Sequence, residues 1–188
     1  MVRVIVGLIL VLCTGSLLLA ATEVEIQTNY GDIRVQLHDR QAPATVANFL
    51  EYVDDGFYDG TIFHRIIPGF MIQGGGFDEH DRRKATREAI GNEATNGLEN
   101  RRGSLAMART SVIDSATSQF FINLVDNDFL NHQGSAPATF GYAVFGQVMA
   151  GMEIVEKIAQ VKTYRRNNLF QDYPQTPVVI KTIRRVSP

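Results

Sequence analysis

The chain has 188 residues, with 18 Lys and Arg set against 20 Asp and Glu for a formal net charge of −2. That balance provides no global field toward nucleic acid or an anionic membrane surface. At 45% hydrophobic and 20% charged residues, the composition is that of an ordinary globular protein, and the length suits one domain once a leader is set aside.

The N-terminus reads as an export signal, with a positive start at Arg3, an apolar run from Val4 to Leu12, and small residues at Ala20 and Ala21. Residues 1–21 are therefore expected to be a signal peptide, and 22–188 the functional domain, working in the periplasm. An uncleaved membrane anchor is the alternative, because the stretch approaches spanning length. Leu12 occupies the position before Cys13 where a lipoprotein signal needs a small residue. Cys13 is the one cysteine, so a mature chain would carry no disulfide, thiol nucleophile or cysteine metal ligand.

Beyond the leader come many short runs rich in β-branched and aromatic residues, the composition of a pleated, half-buried surface. Val24 to Thr28 and Ile33 to His38 flank a turn at Asn29-Tyr30-Gly31-Asp32 and predict a hairpin. Pro43 suits the first turn of a helix, where its missing N–H is not needed. Val46, Phe49, Leu50 and Val53 then form an apolar stripe at helical spacing, and Gly56 supplies a left-handed cap. Further strands are predicted at Thr61 to Ile67, Gly69 to Gln73, Ser104 to Ala108, Gln119 to Leu124, Tyr142 to Val148 and Val178 to Val186. A second helix is expected from Met152 to Gln160, burying Ile154, Val155 and Ile158. Eight short strands and two helices suggest a closed barrel, although strand count alone does not separate a barrel from a sandwich. The polar segments Phe77 to Arg102 and Asn131 to Phe140 are long for a compact domain and are expected to rim a functional groove.

The densest information lies in residues 63–73, Phe-His-Arg-Ile-Ile-Pro-Gly-Phe-Met-Ile-Gln. One cation, Arg65, and one amide, Gln73, stand among bulky apolar groups, symmetric about the Pro68-Gly69 turn. Paired as a hairpin, the two fall opposite each other to within about one residue. Ser118-Gln119-Phe120-Phe121 forms a second cluster, whose adjacent phenylalanines point to opposite faces of a strand. Phe70, Met71, Phe121, Leu130 and Tyr142 are candidate pocket walls. The combination describes an apolar pocket with one hydrogen-bonding arm, rather than a nucleophile, a metal or a phosphate cradle. His38, His80 and His132 lack paired ligand spacing, so no metal is expected. His64 is expected to face the barrel interior as a satisfied core residue. Gly74-Gly75-Gly76 lacks the Lys-Ser/Thr of a nucleotide loop and is expected to turn the strand after Gln73. Asp126-Asn127-Asp128 reads as a turn.

Gly-Phe-Tyr (56–58), Phe-His-Arg (63–65), Pro-Gly-Phe-Met (68–71), Gln-Gly-Gly (73–75), Leu-Ala-Met-Ala-Arg (105–109), Ser-Gln-Phe-Phe (118–121) and Val-Phe-Gly (144–146) occur in that order. With these motifs the chain closely resembles the cyclophilin family of peptidyl-prolyl cis-trans isomerases, in its bacterial periplasmic branch. The resemblance implies a mainly β fold, an eight-stranded antiparallel barrel capped by two helices. It implies Arg65 and Gln73 as catalytic residues. It assigns substrate binding to Phe70, Met71, Ala108, Gln119, Phe121, Phe129, Leu130 and Tyr142, with the backbone around Arg109 holding a substrate carbonyl. It implies proline-containing polypeptides as substrates, a monomer, and no cofactor, since the catalysed step is a rotation. Phe129 stands where animal members have tryptophan and Tyr142 where they have histidine. Loss of the indole N–H implies weakened binding of the inhibitor cyclosporin.

Overall fold

The computed structural model describes residues 21–186. The expected signal peptide, with Cys13, lies outside the described residues but for Ala21. The strands are β1 (Glu23–Thr28), β2 (Gly31–Leu37), β3 (Thr61–Ile67), β4 (Met71–Asp78), β5 (Ser104–Met107), β6 (Phe120–Asn123), β7 (Val144–Ala150), β8 (Thr163–Tyr164), β9 (Tyr173–Pro174) and β10 (Val179–Arg185). The helices are α1 (Pro43–Asp54), α2 (Met152–Ala159) and a short 3-10 turn at Asp128–Leu130. Eight of the strands close into an antiparallel barrel in the order β1-β10-β3-β4-β6-β5-β7-β2, while β8 and β9 form a separate two-stranded ribbon. Closure removes the raw hydrogen-bonding edges that an open sheet of the same strands would carry. The barrel expected from the family resemblance is thus present, and the ribbon is an addition to it.

The barrel interior is filled from alternate strand positions wherever the register is regular. Val24, Ile26, Ile33, Val35, Phe63, Ile66, Leu105, Phe120, Phe145 and Ile183 join one core cluster. Helix α1 begins where β2 ends and lays Phe49 against Tyr58, Phe120 and Phe145, with ring centroids 5.2 to 5.6 Å apart. Helix α2 sits at the opposite end, where Ile154 packs over Gly31 at the start of β2. Its Val155 and Ile158 are fully buried, whereas Ile154, expected in the same buried stripe, is half-buried.

Pro43 opens α1 as predicted, and Gly56 follows its end at φ +64° with its N–H on the Val53 carbonyl. The N-terminus of α1 has no cap from its own neighbours. Glu93 supplies it from the long polar segment, accepting from the Ala44 and Thr45 amides at 3.1 and 2.8 Å and from the Thr45 hydroxyl at 2.6 Å. A carboxylate at that end also complements the helix dipole.

Two expectations about β3 and β4 need correction. The glycine run does not end β4. The strand begins at Met71 rather than Gly69 and continues through the glycines to Asp78, with irregular register against β3 between Thr61 and Arg65. That irregularity shifts the alternation, and His64 therefore faces outward instead of into the barrel. It packs on Phe77 and Phe170, beside an outer cluster of Ile62, Phe77, Phe170 and Tyr173. Nor is it satisfied, since its buried Nδ1 has no hydrogen-bond partner among the described residues. Burial pulls its pKa down to about 4. A hydrogen bond with the Ile62 backbone opposes this, and the Arg65 charge adds to it.

Candidate functional site

The pairing of β3 with β4 sets Arg65 directly opposite Gln73, as the symmetry about Pro68-Gly69 predicted. β4 in turn pairs with β6, which brings Phe121 beside Gln73. Phe120, its neighbour, points into the barrel core and is fully buried. Phe121 points the other way, into a second cluster with Met71, Ala106, Leu130 and Val144, flanked by Phe70, Ala108 and Tyr142. The two phenylalanines thus divide between core and groove.

This outer cluster forms the floor of a cavity of about 120 Å³, lined by Arg65, Phe70, Met71, Gln73, Ala108, Arg109, Phe121, Leu130 and Tyr142. The volume is that of a few water molecules, suited to one small side chain rather than a cofactor. Phe121 meets Tyr142 edge-on at 5.7 Å. Of the eleven residues named from the sequence, nine line this cavity. The other two stand at its margins. Phe129 is 67% exposed and stacks on Phe70 at 5.6 Å, extending the apolar wall outward. Gln119 approaches from β4's far side, where its Oε1 accepts a 3.0 Å hydrogen bond from Gln73 Nε2. Gly76 makes this possible, because a Cβ there would lie 2.6 Å from the Gln119 side chain.

The hydrogen bonding differs from the expectation that Gln73 steadies Arg65. The Gln73 amide is engaged by Gln119, and the guanidinium instead faces a carboxylate, with Arg65 Nε 3.5 Å from Asp172 Oδ2. Asp172 was not among the residues singled out from the sequence. Arg109 uses its side chain to pin the rim. It donates to the carbonyls of Gly141, Thr110 and Pro137 at 3.0, 2.9 and 2.7 Å, and its guanidinium lies 4.9 Å from the Tyr142 ring centre. The polar segment Phe77 to Arg102 does reach the groove: Leu98 packs on its cluster and Asn96 donates to the Val144 carbonyl.

A buried asparagine network lies behind the groove and also escaped sequence reading. Asn123 donates to Asn100 Oδ1 and Ser104 Oγ, at 3.2 and 2.9 Å, and accepts from Asn127 at 2.7 Å. Asn127 also donates to the Phe70 carbonyl, and Asn100 to those of Leu130 and Tyr142. Three groove residues are thereby tied by their backbones to one satisfied polar lattice, which fixes the walls before any ligand arrives. Asp126 lies in the loop after β6 and Asp128 opens the 3-10 turn that follows, and both pair with Arg101.

No cluster of three or more metal-ligating side chains occurs among the described residues. The site offers an apolar slot with a half-exposed cation, Arg65, and the Gln73 amide on its lining. Such a site can bind and distort a peptide, but it has no group placed to break a bond.

Comparison with known proteins agrees with this geometry. The family model described as cyclophilin type peptidyl-prolyl cis-trans isomerase/CLD matches residues 23–185. The chain is 54% identical over 160 residues to peptidyl-prolyl cis-trans isomerase B of Escherichia coli, covering 85% of this chain and 97% of that one. It is 52% identical to isomerase A of Dickeya dadantii, covering 87% and 84%, and 54% identical to an Acinetobacter baylyi isomerase, covering 88% and 86%. Among solved structures, a Cryptosporidium parvum cyclophilin type isomerase superposes with a TM-score of 0.73 at 30% identity, covering 89% of this chain and 99% of that one. A second crystal structure of that protein, obtained in the presence of the dipeptide ala-pro, gives 0.71 at 30% identity, covering 88% and 99%.

Proposed function

The chain belongs to the cyclophilin-type peptidyl-prolyl cis-trans isomerase family and is an isomerase of that type, and from this premise we propose that it accelerates rotation about X-Pro bonds in exported polypeptides with Arg65 as the essential donor. The observation that carries the mechanism is the position of Arg65, a permanent cation at the mouth of the one apolar slot that gathers the substrate-binding residues.

The rotation is opposed by about 18–20 kcal/mol of partial double-bond character. As the amide twists, conjugation is lost and the prolyl nitrogen regains its lone pair. A guanidinium N–H aimed at that nitrogen stabilises the twisted state more than the planar one, and only such a difference accelerates the step. Phe121, Met71 and Leu130 grip the proline ring in a dry slot. Gln73, held by Gln119, and the backbone near Arg109 hold the neighbouring carbonyls, so that one side of the bond is fixed while the other turns. Phe129 lacks an indole N–H, and cyclosporin binds weakly. The protein works as a monomer. Export rests on the leader-like N-terminus, and mass spectrometry of the protein recovered from a periplasmic fraction tests it; an intact residue 1 in a cytoplasmic fraction overturns it.

The test of the mechanism is cis/trans exchange of a short Ala-Pro peptide measured by NMR, which needs no coupled protease. Arg65→Ala is expected to lower kcat/KM at least tenfold, about 1.4 kcal/mol of transition-state stabilisation, in a folded protein. Near wild-type exchange in that variant overturns the role of Arg65. Peptide binding without accelerated exchange in the wild type would favour a docking or chaperone role.

A further inference from the structure

We propose that Asp172 is a positioning residue for the isomerase reaction, holding the Arg65 guanidinium by its Nε edge so that the terminal N–H groups face the apolar slot. This rests on the reading of Arg65 as the donor. Arg65 Nε lies 3.5 Å from Asp172 Oδ2, and the two side chains are 42% and 37% exposed. At that distance the contact is a charge pairing rather than a hydrogen bond, and half-exposed pairs contribute only about 0–1 kcal/mol to stability. Its significance is therefore orientation. A free arginine side chain has many rotamers of similar energy, and few of them place an N–H over the slot. Arg65 makes no hydrogen bond to another side chain among the described residues, and the Gln73 NH2 opposite it donates to Gln119 instead of facing an acceptor on Arg65, which has none. Asp172 is the acidic partner the fold provides.

The chain around Asp172 is built to hold that carboxylate still. The Asp172 carbonyl accepts from the Ile66 amide at 3.0 Å, so the residue is fastened to β3 one position from Arg65. Tyr173, next in sequence, pairs with Tyr164 in the β8–β9 ribbon and donates from its hydroxyl to Asp81 Oδ1 at 2.7 Å. Arg166 closes the same carboxylate at 2.5 Å and covers the Tyr173 ring. Phe170 anchors the other flank in the outer apolar cluster with Phe77. The β8–β9 ribbon, separate from the barrel's strand order, is thus clamped on both sides of Asp172.

The experiment is a double-mutant cycle read by NMR exchange of the Ala-Pro peptide and by urea unfolding. Asp172→Asn keeps the shape and the backbone contacts and removes the charge. It is expected to lower kcat about fivefold with KM little changed, a loss of about 1 kcal/mol. Asp172→Glu is expected to recover part of that loss. In an Arg65→Ala background, Asp172→Asn is expected to change the residual rate by less than about 1.5-fold, because nothing remains to orient. Equal loss in both backgrounds, or unchanged turnover in Asp172→Asn, overturns the proposal. If Arg65→Ala itself retains full activity, the donor reading fails instead, and the cycle separates the two cases. The unfolding midpoint of Asp172→Asn is expected to stay near that of the wild type. A fall in midpoint that accounts for the lost activity would reassign Asp172 to folding.

Discussion

Replacing His64 with Phe should make the protein more resistant to acid. The imidazole is 6% exposed, packed among Phe77 and Phe170, and held neutral by burial with its pKa pulled from 6.5 to about 4. In the unfolded chain the same ring protonates near 6.5. Between those values the unfolded state binds the proton and the folded state does not, so stability falls as the pH drops. The loss begins below 6.5 and is complete once the pH has fallen through the folded value. Linkage gives about 2 kcal/mol lost at pH 5 and about 3 kcal/mol at pH 4 from this one residue. Phe offers a ring of similar size to the same aromatic cluster and nothing to protonate. Urea titrations followed by circular dichroism at pH 7, 5 and 4 provide the comparison. The difference between variant and wild type cancels the carboxylates, which titrate alike in both. The variant should gain about 2 kcal/mol on the wild type between pH 7 and pH 5. Parallel pH profiles in the two proteins would mean that His64 is already charged, or hydrated, in the folded state.

Three further perturbations test other parts of the fold and site. Glu93→Ala removes the distant cap from α1 and should cost about 1–2 kcal/mol in urea unfolding; an unchanged midpoint would show that solvent serves those amides equally well. Gly76→Ala should displace Gln119 and release the Gln73 amide, lowering kcat/KM about threefold to tenfold with the fold retained, and wild-type exchange would refute a role for that hydrogen bond. Phe129→Trp adds an indole N–H to the outer wall and should tighten cyclosporin binding about fivefold or more by calorimetry; unchanged affinity would break the link between this position and the inhibitor.

What could be read from the sequence was chemistry whose partners sit close along the chain. Arg65 and Gln73 are placed opposite one another by a turn between them, and Phe120 and Phe121 are divided by strand alternation alone. Glycine at 56 signalled the end of α1 because few other residues adopt its φ. The barrel itself came from the family's motifs, since strand count left a sandwich open. Other features were not legible because they join distant segments. Glu93 at the head of α1, Asp172 beside Arg65, and the asparagines behind Phe70, Leu130 and Tyr142 look in sequence like ordinary loop polars. The outward turn of His64 was missed for another reason. Alternation predicts the facing of a residue only where register is regular, and the shift against β4 falls on either side of Phe63.

The position of β10 in the barrel constrains the order in which the protein can be completed. It lies between β1 and β3, so the last strand of the chain pairs with the first and the third. Until β10 has been synthesised, β1 and β3 each present an unpaired flank, and Ile26 and Phe63 lose the Ile180 and Ile183 side of their core. A nascent chain therefore has no finished barrel to fall into, and closure of such widely separated strands is slow. During that interval the polypeptide carries two open strand edges. It is also exposed to mispairing with other edges, so that the final strand acts as a latch on when the molecule becomes a folded body.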